Sequence, residues 1–403
     1  MMAMAACGGN QGLIVAQSSR GGTEVQPFSP KTPGMSGWIA AFRPRALAAG
    51  VAPEVFDRAM RPIGYSAYVI DKDRNQAEFT KTIWDYLDSA ASDERIANGQ
   101  AALAANRALL DQIEATYGVD KAVVVAVWGL ESAYGTKRGT LHVIEALATL
   151  AFDGRRGAFF ESQLIAALQI IQRGDVDVEH MTGSWAGAMG HTQFIPTSYQ
   201  LFAVDFRGDG KRDIWGDDPT DALASTAAYL AKSGWVSGQP WGVEVTLPPG
   251  FSLAQTGKGF RRATSDWTAL GVRAASGGPV PDNGSAAIIL PAGARGAAFM
   301  VFSNFTAISR YNNADAYVIG IGHLSDRIKG GPPIRAAWPR DANELTFVQR
   351  IELQERLTAR GFDTQGADGN LGPNSVAAIR AFQASIGVEA DGYADVALLA
   401  RLR

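Results

Sequence analysis

The chain has 403 residues, 46% of them hydrophobic, and carries 37 Lys and Arg against 40 Asp and Glu, a net charge of -3. That is long enough for two or three domains with sizeable cores, and so balanced a charge excludes the basic face on which nucleic-acid binders rely. Cys7 is the one cysteine, which excludes an intrachain disulfide framework, and no apolar run is long enough to span a bilayer.

In chain order, residues 1–35 read as a flexible leader rich in Gly, Ser, Gln and Pro. Its start, MMAMAACG, looks like the tail of a lipoprotein signal with Cys7 as lipid acceptor, or else a leader with a stray cysteine. Six residues before Cys7 are too few for the apolar stretch of a complete signal. Helices are expected over 40–49, 53–60, 98–117, 121–134, 142–152, 158–173 and 220–232. Pro53 suits a first turn, Asp120 an N-cap and Gly135 a C-terminal stop. Between about 244 and 301 the texture changes to short strand-like runs among Gly and Pro, read as a small β insertion. A linker is expected over 329–343, and 344–403 as a separate small unit. The fold class is therefore mainly α, with a catalytic domain at 36–328.

The most informative residue is Glu131. On a helix, Val124, Val127, Trp128 and Glu131 share one face at i, i+3, i+4 and i+7. A carboxylic acid shielded from water on that face is suited to protonating a glycosidic oxygen. The competing reading is a carboxylate paired to a cation inside a helical domain.

The run Trp128-Gly129-Leu130-Glu131-Ser132-Ala133-Tyr134-Gly135 resembles the catalytic helix of the lytic murein transglycosylase B family, glycoside hydrolase family 103. So do the blocks at 143–156, 183–199, 199–215, 227–230 and 303–312. The resemblance implies a lysozyme-like helical domain with one catalytic Glu, here Glu131. It also implies sugar-binding positions at Ser184, Gln193, Tyr229, Asn304, Tyr311 and, less securely aligned, Tyr86. Gly187 and Gly190 are expected to let backbone approach a sugar. One departure stands out. His191-Thr192 occupies a place where the family leads one to expect an aromatic and a Gly, a change expected to alter a subsite without touching Glu131.

Residues 205–213 resemble an EF-hand calcium loop, with Asp205 at position 1, Asp209 at 5 and Gly210 at 6. Position 3 is Arg207, a poor ligand, and position 12 is Gly216 rather than a bidentate Glu. Asp213, Asp218 or Asp221 would have to close the site. The expectation is a weak structural calcium or sodium site (Asp205, Asp209, Asp213, Asp221), with no cofactor required for chemistry. The alternative is a metal-free turn.

The tail 344–403 resembles the three-helix peptidoglycan-binding domain through Leu353, Leu357, Asp368-Gly369, Ile379, Phe382 and Asp391-Gly392. Most of those positions are fold rather than ligand contact. The resemblance as a whole implies peptidoglycan as partner, no nucleic acid, and a place in the periplasm or cell envelope. Protein partners are not indicated. Two other readings compete: a hydrolytic muramidase, which needs a second carboxylate such as Glu145, Asp153 or Glu161, and a wall-binding scaffold without catalysis.

Overall fold

The computed structural model describes residues 24–75 and 81–403. Cys7 and most of the leader, with the lipid anchor expected there, lie outside the described residues. Among the described residues the chain divides into two units, one of residues 24–75 and 93–232, the other of residues 81–92 and 233–403.

The first unit is helical. Its central helix, Lys121–Ser132, is buried without a break from Ala122 to Leu130, as a helix apolar on every face must be. Asp120 caps it, accepting the Ala122 amide at 2.8 Å. Asp93–Ala105, Arg107–Tyr117 and Thr220–Lys232 pack against it, while Val143–Asp153 lies along Gly157–Arg173. A short antiparallel pair, Leu141–His142 with Thr182–Gly183, ties two connections together. The single helix expected over 98–117 is two, broken at Asn106. There the Asn106 side chain donates to the Ala102 carbonyl at 2.9 Å, the local competition that makes Asn a poor helix interior residue.

The β insertion belongs to the second unit. It is a five-stranded antiparallel sheet in the order Arg262–Ala263, Ser285–Ile289, Ala298–Val301, Gly242–Thr246, Arg273–Ala274. Its register sets Val245 opposite Ala298 and Ile288 opposite Met300. One face buries Val245, Ile288, Met300 and Phe302 around Trp267. Helices Ser303–Ser309 and Asp315–Ile328 follow, and Ile83–Ala90 packs on the latter. Among the described residues no helix is long and apolar enough to cross a membrane.

The tail holds three helices, Phe347–Ala359, Pro373–Ser385 and Val396–Leu402. The first opens on a capping box between Thr346 and Gln349. Leu353, Leu357, Ile379, Phe382 and Leu399 form a core of their own. The two Asp-Gly turns are built alike. Gln354 donates to Asp368 and accepts the Gly369 amide, and Gln383 donates to Asp391 and accepts the Gly392 amide. These contacts make both motifs structural. The tail also meets the β region through polar groups: Asp391 accepts the Ala294 amide at 2.9 Å and Arg380 reaches Thr256 at 2.8 Å.

Candidate active site

Glu131 stands half-buried one residue before the end of its helix. The helix stops two residues earlier than expected, because Ala133, Tyr134 and Gly135 all have positive φ, 49°, 58° and 85°. Two successive non-glycine residues in that region are strained, so the turn persists only because its surroundings hold it. Tyr134 donates through its hydroxyl to the Arg95 carbonyl at 2.7 Å, and Arg95 donates to the Gly129 carbonyl. Burial pushes the Tyr134 phenol up to about 12, so it remains a donor. Ser132 accepts the Gly135 amide at 2.9 Å and donates to the His191 carbonyl. At Gly135 the positive φ and the His191 ring, 2.6 Å from where a Cβ would stand, leave room for glycine alone.

His191 is itself buried, at 4% exposure. Its Nδ1 accepts the Trp128 indole N–H at 3.1 Å, and its Nε2 donates to the Gly216 carbonyl at 2.7 Å. That pair of bonds requires the neutral ring with the proton on Nε2. Burial, the larger cause, and the neighbouring Arg138 hold its pKa below the usual histidine range. The departure at His191 thus reaches Trp128, three residues before Glu131, and Ser132, the residue after it. Arg138 braces the same strip, donating to the Trp215 and Gly216 carbonyls and pairing with Asp217 at 2.8 Å.

Ser184 and Gln193 lie on the loop that runs back to this turn. The Ser184 hydroxyl accepts the amides of Ala186 and Ala188 at 3.3 and 3.0 Å, which shapes the turn through Gly187 and leaves its own O–H to donate. Gln193, at φ 53° and half-buried, donates both amide hydrogens to the Arg138 and Gly190 carbonyls, at 3.0 and 2.8 Å. Its carbonyl oxygen accepts no bond among the described residues. Met189 bridges Gly183 on one side and Phe194 on the other, so the loop is a chain of short pairings. Tyr229, half-buried, stacks on Phe202 with centroids 4.1 Å apart and leans on Phe194. The two glycines expected to face a sugar face the protein instead. A Cβ on Gly187 would meet Leu147 at 2.5 Å, and one on Gly190 the Ile214 carbonyl at 2.2 Å.

The other three candidates belong to the second unit. Asn304 is fully buried. Its Oδ1 accepts the Val236 amide at 2.7 Å and its Nδ2 donates to the Val236 and Gln239 carbonyls. In this structure the side chain pins the connection at 236–239, and its hydrogen-bonding capacity is filled by backbone. Tyr86 and Tyr311 are half-buried.

The carboxylates expected to hold a cation are otherwise engaged. Asp205 accepts the amides of Gly208, Asp209 and Gly210, and buried Asp221 those of Phe206, Arg207 and Asp213. Asp213 accepts the Trp215 and Gly216 amides at 2.9 Å, and Asp209 that of Lys211 at 3.0 Å. Arg207 lies among Asp209, Asp213, Asp218 and Asp221, with nitrogen–oxygen distances of 3.4–3.7 Å. Among the described residues no three His, Cys, Asp or Glu side chains are arranged to hold a metal ion. The Arg207 guanidinium stands among the carboxylates expected to hold a cation.

Each alternative second carboxylate is also occupied. Glu145 accepts from the backbone and hydroxyl of Ser29 and from the Gly64 amide. Asp153 pairs with Arg74 at 2.6 Å, and Glu161 with Arg45 at 2.7 Å.

A transglycosylase SLT domain model matches residues 34–326 and a peptidoglycan binding domain model residues 348–402. Membrane-bound lytic murein transglycosylase B of Escherichia coli (strain K12) is 32% identical over 219 residues, 53% of this chain and 58% of that protein's length. SltB3 of Pseudomonas aeruginosa, crystallised with NAG-anhNAM-pentapeptide, is 50% identical and superposes with a TM-score of 0.89 over 92% of this chain and 100% of that one. The Escherichia coli lytic transglycosylase SLT35, crystallised with calcium, gives 26% identity and a TM-score of 0.62 over 76% of this chain and 96% of its own. With most of its length matched by the SLT model and its tail by the second, the chain belongs to the lytic murein transglycosylase B family of SLT-domain transglycosylases.

Proposed function

We propose that the protein is a peptidoglycan lytic transglycosylase that cleaves the β-1,4 bond between MurNAc and GlcNAc and leaves a 1,6-anhydroMurNAc end. Glu131 donates its proton to the glycosidic oxygen as the bond from C1 breaks. The resulting carboxylate then takes the proton of the muramic acid O6 hydroxyl as that oxygen bonds to C1. No water is consumed, so one carboxyl serves as acid and then as base.

The observation that carries this reading is Glu131, half-buried near the end of its helix on a strained, braced turn; the carboxylates named as possible second groups are bound to Arg45, Arg74 and the Ser29–Gly64 backbone. Hydrolysis with a second carboxylate loses its named candidates by the same geometry. The ligand in the SltB3 complex, NAG-anhNAM-pentapeptide, supports the same substrate class here. In this proposal the Ser184 hydroxyl and the Gln193 carbonyl face sugar polar groups and Tyr229 supplies an aromatic wall, while Tyr86, Tyr311 and Asn304 are the sugar-binding positions that the family resemblance suggests in the second unit. Residues 344–403 hold the wall, which places the protein in the cell envelope. Mass analysis of digested sacculi tests the reaction. Transglycosylation gives anhydro-muropeptides lighter by one water than hydrolytic products, and reducing MurNAc ends as the main product would sink the proposal.

A further inference from the structure

We infer that Arg207 is a built-in cation that does the work of a loop-bound metal ion in this chain. The loop 205–213 has the spacing of a calcium loop, yet its third position is an arginine. That arginine does not turn out to solvent. Its guanidinium lies 3.4 Å from Asp209, 3.5 Å from Asp213, 3.4 Å from Asp218 and 3.7 Å from Asp221. Asp221 has no exposed surface, and a buried carboxylate beside three others is unfavourable without positive charge nearby. A guanidinium is charged at every accessible pH and offers five donors in one plane, so it faces several carboxylates at once. Calcium needs six to eight oxygens at about 2.3–2.6 Å, and the space where those oxygens would converge is filled by a side chain.

The loop's order matters beyond itself. Asp213 holds the Trp215 and Gly216 amides. The Gly216 carbonyl receives His191 and Arg138, and the Ile214 carbonyl the His191 amide. The charge on Arg207 therefore orders the strip 213–216 that supports the turn beside Glu131, with no metal to lose.

Thermal unfolding and calorimetric calcium titration of the full chain test this. The wild type is expected to unfold at the same temperature in chelator and in millimolar calcium, with sodium at matched ionic strength as control. Arg207→Asn puts an oxygen ligand at position 3 and removes the charge. It should lose more than about 5 °C in chelator, since the buried Asp221 carboxylate would be left without the cation beside it, and should recover saturably with calcium. Arg207→Lys keeps the charge and should stay insensitive to calcium. A wild type that binds calcium stoichiometrically and is stabilised by it overturns the inference. So does an Arg207→Asn protein that is as stable as wild type in chelator, or one that calcium fails to restore. If Arg207→Asn does not fold in either condition, Arg207→Lys decides: folding without calcium supports the inference, and dependence on calcium overturns it.

Discussion

At the scale of single residues, two side chains near the end of the Lys121–Ser132 helix have separable jobs. In the proposed mechanism Glu131 is the acid, so Glu131→Gln, which keeps the shape and cannot donate the proton, should cut anhydro-muropeptide release by at least about a hundredfold. Circular dichroism and binding to sacculi should be near wild type. Release at the wild-type rate would remove Glu131 from its role. His191 is a positioning residue that must be neutral to accept from Trp128 and donate to Gly216. Its pKa is lowered by burial from 6.5, so the unfolded chain binds the proton more readily than the folded one. Its contribution to stability is fully present above pH 6.5 and is lost as pH falls below that value toward the folded pKa. His191→Phe should therefore show a smaller loss of unfolding free energy than wild type between neutral and mildly acidic buffer. Parallel pH profiles for the two proteins would refute this.

Between elements, the connection after Thr220–Lys232 is held to the helix Ser303–Ser309 by the Asn304 side chain and by Gln239, which accepts the Ser303 amide at 3.0 Å. Asn304 carries three bonds to Val236 and Gln239 from a fully buried position. Asn304→Ala leaves one backbone donor and two acceptors without that partner and should destabilise the fold by about 2–4 kcal/mol, read from denaturant unfolding. Asn304→Asp should be worse, because it sets a carboxylate against two carbonyls. An alanine variant with wild-type stability but impaired sugar binding would return Asn304 to the role the family resemblance suggested. The same contrast applies to Gly187 and Gly190, whose close neighbours are Leu147 and Ile214.

At the scale of the whole molecule, the tail closes its own core around Leu353, Leu357, Ile379, Phe382 and Leu399, and the described contacts toward the β region are polar. A core that closes on itself is the mark of an independent folding unit, so residues 344–403 should fold alone and bind sacculi. Truncation near Gly331 should lower activity on intact sacculi far more than on soluble glycan fragments, because only the insoluble substrate gains from a second point of attachment. Equal losses on the two substrates would show that the tail is part of the catalytic domain's structure.

Some of this protein is determined along the chain. The helical period around Val124, Val127 and Trp128, the Asp120 cap, the Pro53 start and the ordered blocks around Glu131 are local; the spacing points to the helix, and the blocks carry the family resemblance. The capping box at Thr346 and the Asp-Gly turns of the tail are equally local. The rest depends on residues brought together from far apart. Asn106 breaks a helix that its apolar pattern would continue. Whether a polar side chain faces a ligand or a backbone amide is invisible to periodicity, which reports the face and not the partner. Hence Asn304 reads as a groove residue in the sequence and is bonded to backbone in the fold, and His191, 63 positions from Trp128, locks the ring one turn from Glu131. Arg207 counts as a missing ligand when the loop is read in order. Only folding, which sets Asp218 and Asp221 around it, makes it the cation of its own site.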